Sequence, residues 1–342
     1  MAASCSLLLV NYKTAMLAAE AIRTARLASR SPLQIVVVDN SVDSHQADVL
    51  RRYADVVIAP EKNLGYAAAI NRARRSCDGE VLLVSNADVR FGVQAIDHLL
   101  DADAPVAGPA LYWDDAFQWH LPPSELHTAR QTLDRVFASR WNEWRLSRDR
   151  RRFRQRVAFW SLRKPAVVDS ISGAVMAIRA RVFDRMGGFD ERFRLYFEET
   201  DFLRRLRTGI VYVPSARCRH IYNQSAGISS EAAQEYARSE FEYLRKWNGR
   251  PFARSVKWIE RAPDAADMPP ATEITVEDQT AVVEASPLPD FDTAAGFFAS
   301  GRTVKIPPEV WDAYRGPVLY MRVVQRDTGA VIAAYARTRI PA

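Results

Sequence analysis

Three carboxylates fall within four residues at Glu198, Glu199 and Asp201, directly after the aromatic Leu195-Tyr196-Phe197 and at the start of a stretch of helical composition. Clustered carboxylates beside aromatics raise one another's pKa, which suits one of them to take the proton of an attacking hydroxyl. The helix dipole alone would also favour acids at a helix start. Asp88 closes the turn Ser85-Asn86-Ala87-Asp88 after the apolar run Val81 to Val84. A carboxylate there can hold a hard divalent cation, Mg²⁺ or Mn²⁺, and leave positions for phosphate oxygens. Asp39 ends the β-branched run Leu33 to Val38, placed to accept hydrogen bonds from a nucleobase N–H or a ribose hydroxyl. His220 follows a strand-like segment and could complete a metal's coordination, although a lone His is as readily structural.

Those residues need a frame that collects them. Ser6 to Val10, Ala15 to Ala28 and Leu33 to Val38 read as strand, helix, strand, and the pattern repeats through Val56 to Ile58, a helix from about Tyr66 to Arg75, and Val81 to Val84. Buried strands alternating with helices imply an α/β fold with a mostly parallel sheet. Ligands sit beyond the carboxyl ends of such strands, where Asn11, Asp39 and Asn86-Ala87-Asp88 emerge. Each of these is also an ordinary turn former or cap. Asn63-Leu64-Gly65-Tyr66 reads as a tight turn into a helix N-terminus, a place that suits an anion. Farther on, Ser172 to Ile178 reads as a core strand, Glu199 to Arg207 as a helix, Ile210 to Val213 as a strand and Ser230 to Trp247 as a closing helix.

The net charge is +6, but Arg130 to Lys164 alone carries twelve basic and three acidic residues. That localisation points to one basic surface meeting something anionic rather than to a general nucleic-acid binder. Leu133, Phe137, Trp141 and Trp144 are spaced to share a helix face in the same segment. The segment, about residues 128–165, is then either a helical insertion with solvated arginines or a helix pair that grips an acceptor or a membrane surface. The longest early apolar run, Leu7 to Val10, is too short for a span or a signal core, and the three cysteines form no Cys-x-x-Cys pair. A cytoplasmic setting is expected. Residues 1–261 are expected to form the main domain, 262–272 a linker, and 273–342 a small β-rich accessory domain with a hairpin around Asp327-Thr328-Gly329.

Taken in order, these segments resemble family 2 inverting glycosyltransferases, especially the bacterial rhamnosyltransferase-like branch. The resemblance runs from about Ser6 to Trp247 and rests on Asn11-Tyr12, Val38-Asp39-Asn40-Ser41, Asn63-Leu64-Gly65-Tyr66, Asn71, Asn86-Ala87-Asp88, Ser172-Gly173-Ala174, Gly187-Gly188-Phe189-Asp190-Glu191, Glu198-Glu199-Thr200-Asp201, and His220 with Ser225. It implies a GT-A, Rossmann-like nucleotide-binding domain and a nucleoside-diphosphate sugar donor. Asn11, Asp39, Asn40, Asn63, Gly65, Asn71, Asn86 and Asp88 would line the donor site, and Asp88 and His220 would bind a divalent metal. An acid of the pair opening the late helix serves such enzymes as base. Glu199 matches that position, with Glu198 and Asp201 as alternatives.

The sequence departs from the family pattern at three places. Asn86 replaces the first acid of the metal motif, Glu198-Glu199 replaces Glu-Asp, and Asn40 lacks its following glycine. The implied activity is transfer of a hexose-type sugar, rhamnose in this branch, to a saccharide or lipid-linked saccharide in surface-glycan synthesis. An inactive glycan- or membrane-binding scaffold is the competing reading.

Overall fold

The computed structural model describes residues 4–221, 230–262, 267–278, 280–299 and 302–339, so Ser225 lies outside the described residues. The chain opens with β1 (Cys5–Asn11), α1 (Ala15–Leu27), β2 (Leu33–Asp39), α2 (Ser44–Leu50), β3 (Val56–Ile58), α3 (Tyr66–Arg74) and β4 (Val81–Asn86). The four strands lie parallel in the order β3-β2-β1-β4. Their near-continuous Val, Ile and Leu content is what burial on both faces demands, since helices cover each side. Register places Asn11 opposite Asp39 and Val10 opposite Asn86, so the polar strand ends come out at one level.

β5 (Val89–Phe91), α4 (Ala95–Asp101), β6 (Val106–Tyr112), α5 (Ala129–Ala138), α6 (Asn142–Trp160), β7 (Ala166–Val167), β8 (Val175–Arg179), α7 (Ala180–Arg185), α8 (Glu198–Leu206), β9 (Ile210–His220), α9 (Ser230–Asn248) and α10 (Arg250–Ile259) follow. The expected α/β architecture is present. β8 runs antiparallel between β4 and β6, while β6 and β9 pair in parallel. It starts at Val175 rather than Ser172, because Ser172 turns the chain by accepting the Ala174 N–H on its Oγ at 3.2 Å. α10 has no counterpart in the sequence reading. Gly249, at φ 87°, breaks the helical run between α9 and α10.

Beyond the connector, β10 (Glu273–Val276), β11 (Ala281–Ser286), β12 (Ala295–Phe298), β13 (Arg302–Lys305), α11 (Pro308–Ala313), β14 (Val318–Gln325) and β15 (Val331–Thr338) make a four-stranded antiparallel sheet, β12-β11-β14-β15, and the β10-β13 pair. The expected hairpin is β14-β15. This β-rich region is joined to the α/β sheet through the backbone, as His120 and Gly296 exchange both N–H···O bonds at 2.9 Å. Trp113, Trp119 and Leu121 share one apolar core with Val283 and Phe297.

The basic segment corrects the sequence reading most sharply. Three arginines of α6 are neither solvated nor on a free surface: Arg148, Arg152 and Arg156 are buried beneath the C-terminal sheet. Arg156 Nε donates to Glu284 Oε1 at 2.6 Å, and both side chains are 0% exposed. Glu284 also accepts from Arg322, which forks onto Asp149 of α6 at 2.8 Å through two nitrogens. Arg148 pairs with Asp292, and Arg152 with Glu125 at 2.9 Å. Phe153 and Trp160 fill the gaps against Val282 and Val324. The aromatic face reads correctly only in part: Phe137 meets Trp141 and Trp144 edge-on at 5.4 and 5.2 Å, and both tryptophans remain exposed.

Candidate active site

The carboxyl ends of β1, β2 and β4 converge with the start of α8. Asn11, fully buried, donates to Asp39 Oδ1 at 2.9 Å and accepts from the Thr14 N–H at 3.1 Å. Asp39 Oδ1 also accepts the Ser41 N–H at 3.1 Å, while the buried Oδ2 has no partner among the described residues. A buried carboxylate oxygen without a partner is costly unless a ligand donor reaches it. Asp39 thereby keeps one oxygen able to accept from a ligand donor.

Four asparagines expected at the donor site make hydrogen bonds that build its walls. Asn11 orients Asp39. Asn40 donates to the Gly65 carbonyl at 3.0 Å and accepts the Leu64 N–H, and Asn63 accepts the Gly65 N–H at 2.8 Å. Asn71 staples α3 to the Phe189 backbone through both its amide nitrogen and its oxygen, at 2.8 and 2.9 Å. Asn11, Asn40 and Asn71 use both amide ends internally, whereas Asn63 uses only its oxygen, so all four shape the loops of the site. Gly65 sits at φ 83°, and a Cβ there would lie 2.7 Å from the Arg194 carbonyl oxygen, so only glycine lets this turn meet the 190s loop.

At the end of β4, Asp88 Oδ1 stands 3.4 Å from His220 Nε2, and Asn86 Nδ2 stands 3.4 Å from the same nitrogen. The pairing of β5 with β9 sets this up, because Val89 lies opposite His220. One carboxylate, one imidazole and a neutral amide are too few to cage a hard cation. They fit a metal whose remaining positions are taken by phosphate oxygens and water. No group of three or more His, Cys, Asp or Glu able to hold a metal occurs among the described residues.

Two successive aromatics, Tyr196 and Phe197, adopt left-handed φ values of 68° and 69° immediately before α8. Such backbone is unfavourable for bulky residues and persists only where packing dictates it. Here Phe197 is clamped against Tyr236 and Tyr243 at 5.3 and 5.2 Å. The bend turns Glu198 and Glu199 inward. Burial, then the charge of Glu199, pushes the Glu198 carboxyl well above the usual range. Glu199 is raised too, chiefly by burial, against hydrogen bonds from its own and the Thr200 N–H and from the Thr200 side chain. Glu199 keeps partial exposure, whereas Glu198 is buried with one oxygen unpartnered among the described residues.

Asp201 takes no part in this pair. It is fully buried and held by Arg205 at 2.8 Å, Lys246 at 2.6 Å and the Trp247 indole at 2.9 Å, which fixes it as a structural anchor rather than a base. The loop before β8 links the two halves of the site. The Ala174 carbonyl accepts the Asn86 N–H at 2.9 Å, and a Cβ on neighbouring Gly173 would lie 2.6 Å from Glu199 Cγ. Glu199 therefore packs on the same loop that is hydrogen-bonded to the end of β4, two residues before Asp88.

One residue escaped the sequence reading. The Tyr66 hydroxyl is closed off from solvent and has no partner among the described residues, and its ionisation is pushed well up by burial and then by the charges of Glu198, Glu199 and Asp88. It shares the field of both halves of the site. Its place in Asn63-Leu64-Gly65-Tyr66, opening α3, was the available signal.

Residues 6–160 match the family described as Glycosyl transferase family 2. Two N-acetylglucosaminyl-diphospho-decaprenol L-rhamnosyltransferases from Mycobacterium tuberculosis, strains CDC 1551 / Oshkosh and H37Rv, are each 30% identical over 227 residues, covering 59% of this chain and 70% of theirs. Among solved structures, the mannosyltransferase PcManGT from Pyrobaculum calidifontis, in complex with GDP-Man and Mn²⁺, aligns with a TM-score of 0.44 at 15% identity over 75% of this chain and 74% of that one. S. aureus TarS 1-349 in complex with UDP aligns with a TM-score of 0.42 at 13% identity, over 74% and 69%.

Proposed function

The chain belongs to glycosyl transferase family 2, and from that premise we propose that it is an inverting, metal-dependent transferase acting on a nucleoside-diphosphate sugar. The activity named for its mycobacterial relatives supports rhamnose as the sugar and a diphosphate-lipid-linked saccharide as the acceptor. In this reading the enzyme works at the cytoplasmic face of a membrane by peripheral contact; among the described residues no helix is long and apolar enough to cross one. Residues 273–342 serve in this reading as an accessory region that carries no chemistry.

The observation that carries the proposal is the meeting of Glu199 with the Asp88 strand end across Gly173. Glu199, partly exposed and raised in pKa, takes the proton of the acceptor hydroxyl as its oxygen attacks the anomeric carbon. The bond from that carbon to the diphosphate oxygen breaks on the opposite side, and the configuration inverts. Asp39 holds the nucleoside through its unpartnered oxygen. Asp88 and His220 would hold Mg²⁺ or Mn²⁺, which when bound neutralises the charge of the departing diphosphate. Glu198, buried behind Glu199, is itself held in its neutral form by burial and by the Glu199 charge.

A panel of nucleoside diphosphates and nucleotide sugars, with and without Mn²⁺, tests the donor site by thermal shift, because a ligand bound to the native state raises the melting temperature by mass action. Stabilisation by one nucleotide that needs Mn²⁺ and is lost in Asp88→Ala is the expected result. Glu199→Gln should keep that shift and lose roughly 10²- to 10⁴-fold in turnover. A chain that no nucleotide stabilises would be a scaffold instead.

A further inference from the structure

We infer that the corner where the last turn of α10 meets the α5–α6 junction is the surface by which this chain docks on a bilayer of anionic lipid. The inference rests on the membrane-linked acceptor proposed above but assigns a different surface from Arg148, Arg152 and Arg156 of α6, which are consumed inside the protein.

Trp258 is 83% exposed on α10, and Trp141 and Trp144 are 56% and 42% exposed across the junction. They belong to one neighbourhood. Arg140 Nε donates to the Ile259 carbonyl at 2.5 Å, and the Arg261 N–H donates to Ser139 Oγ at 3.2 Å. Ala253 and Val256 bury the other face of α10 against α5 and α9, so Trp258 contributes nothing to that core. A fully solvated tryptophan is unfavourable in water and favourable at a headgroup boundary, where its ring is apolar and its N–H stays wet.

The unpaired charge on α10 is positive, while the acids nearby, Glu260 and Asp134, are paired with arginines. Residues 250–261 carry Arg250, Arg254, Lys257 and Arg261 against one acid, Glu260, which Arg135 neutralises at 3.0 Å. Arg250, Arg254, Lys257 and Arg261 have no ion-pair partner among the described residues, and Arg145 adds a further positive side chain beside Glu143. Exposed tryptophan set among unpaired basic groups complements an anionic bilayer, whereas an interface between two copies of this patch would bring like charges together.

The surface is also one layer from the chemistry. The cluster beneath it joins Val136 of α5 and Val256 of α10 to Tyr243 and to Phe193 and Phe197, the latter being the residue before Glu198. A lipid-linked acceptor held at this corner stays close to the glutamate pair.

Flotation of the full chain with phosphatidylglycerol vesicles tests the proposal, with phosphatidylcholine vesicles as the neutral control. Binding to the anionic vesicles alone, weakened by salt, is expected. Arg254→Gln with Lys257→Gln should lower partitioning by roughly thirtyfold, at about a factor of five for each charge. Trp258→Ser, at an exposed position, should lower it by roughly tenfold. Nucleotide-induced stabilisation of the same variants should be unchanged, so a chain that binds vesicles yet responds to no nucleotide sinks the transferase reading and leaves the docking surface standing. Absence of vesicle binding, or binding indifferent to all these substitutions, overturns the proposal. So does self-association in sedimentation that Trp258→Ser abolishes, which would give the patch to a second copy.

Discussion

Glu198 and Glu199 cannot both ionise easily in the pocket they share, and this sets a pH signature. Both carboxyls are raised, so each holds its proton more tightly folded than unfolded. Their contribution to stability is therefore fully present below the ordinary glutamate range and is lost as pH rises through the raised values. Activity runs the other way, because Glu199 must be unprotonated. The acid limb of kcat/KM should lie above the ordinary glutamate range, because burial raises Glu199, and Glu198→Gln should leave it there, since Glu198 is neutral when Glu199 ionises. A limb in the ordinary range would remove Glu199 as the base. Gly173 provides a second test at this scale. Its missing Cβ is the room in which the Glu199 side chain lies, so Gly173→Ala should displace the base and cost roughly a hundredfold in kcat with nucleotide stabilisation retained. The acids and Asp88 were legible in the sequence because strand ends and helix starts are local signals. The supporting work of Asn40 and Asn71 was not, since their partners lie 25 and 118 residues away.

α6 shows how an element can mislead when read alone. Its run of arginines has the composition of a solvated or lipid-facing helix, yet its buried face is answered by Asp292, Glu284 and the pair of Asp149 with Arg322. Nothing in the local sequence names an acid 128 residues away as the partner of Arg156. Removing one member of a buried pair leaves the other charged and dry, so Glu284→Ala should cost about 3–5 kcal/mol in chemical denaturation. Replacing Arg156 and Glu284 together by apolar residues of similar volume should restore most of that loss. If the single substitution unfolds at the same denaturant concentration as the parent, the pair contributes nothing to stability. α10 escaped the sequence reading for a different reason: Gly249 and Pro251 read as an end, whereas Pro in the first turn also starts a helix.

Across the whole molecule, the α/β sheet and the C-terminal strands share a core and backbone bonds, although composition marks a change at residues 262–272. The turn to Pro, Ala and Asp was legible; the docking behind it depends on shape and on distant partners. We propose that the change is a boundary in the chain rather than in the fold. A chain cut after residue 261 would expose Phe153 and Trp160 and strand Arg148, Arg152 and Arg156 without their C-terminal acids. It should lack a cooperative thermal transition and elute as aggregate in size exclusion; a monomer with the parent's melting temperature would show that the two parts are independent. The same ion pairs bear on biosynthesis. Glu284 leaves the ribosome 128 residues after Arg156, so α6 waits, hydrated and loosely held, until those strands have been made. A message broken between His220 and Glu284 yields a product with every sugar-transfer residue present and no settled structure to use them, so degradation rather than partial activity is the expected fate of such chains.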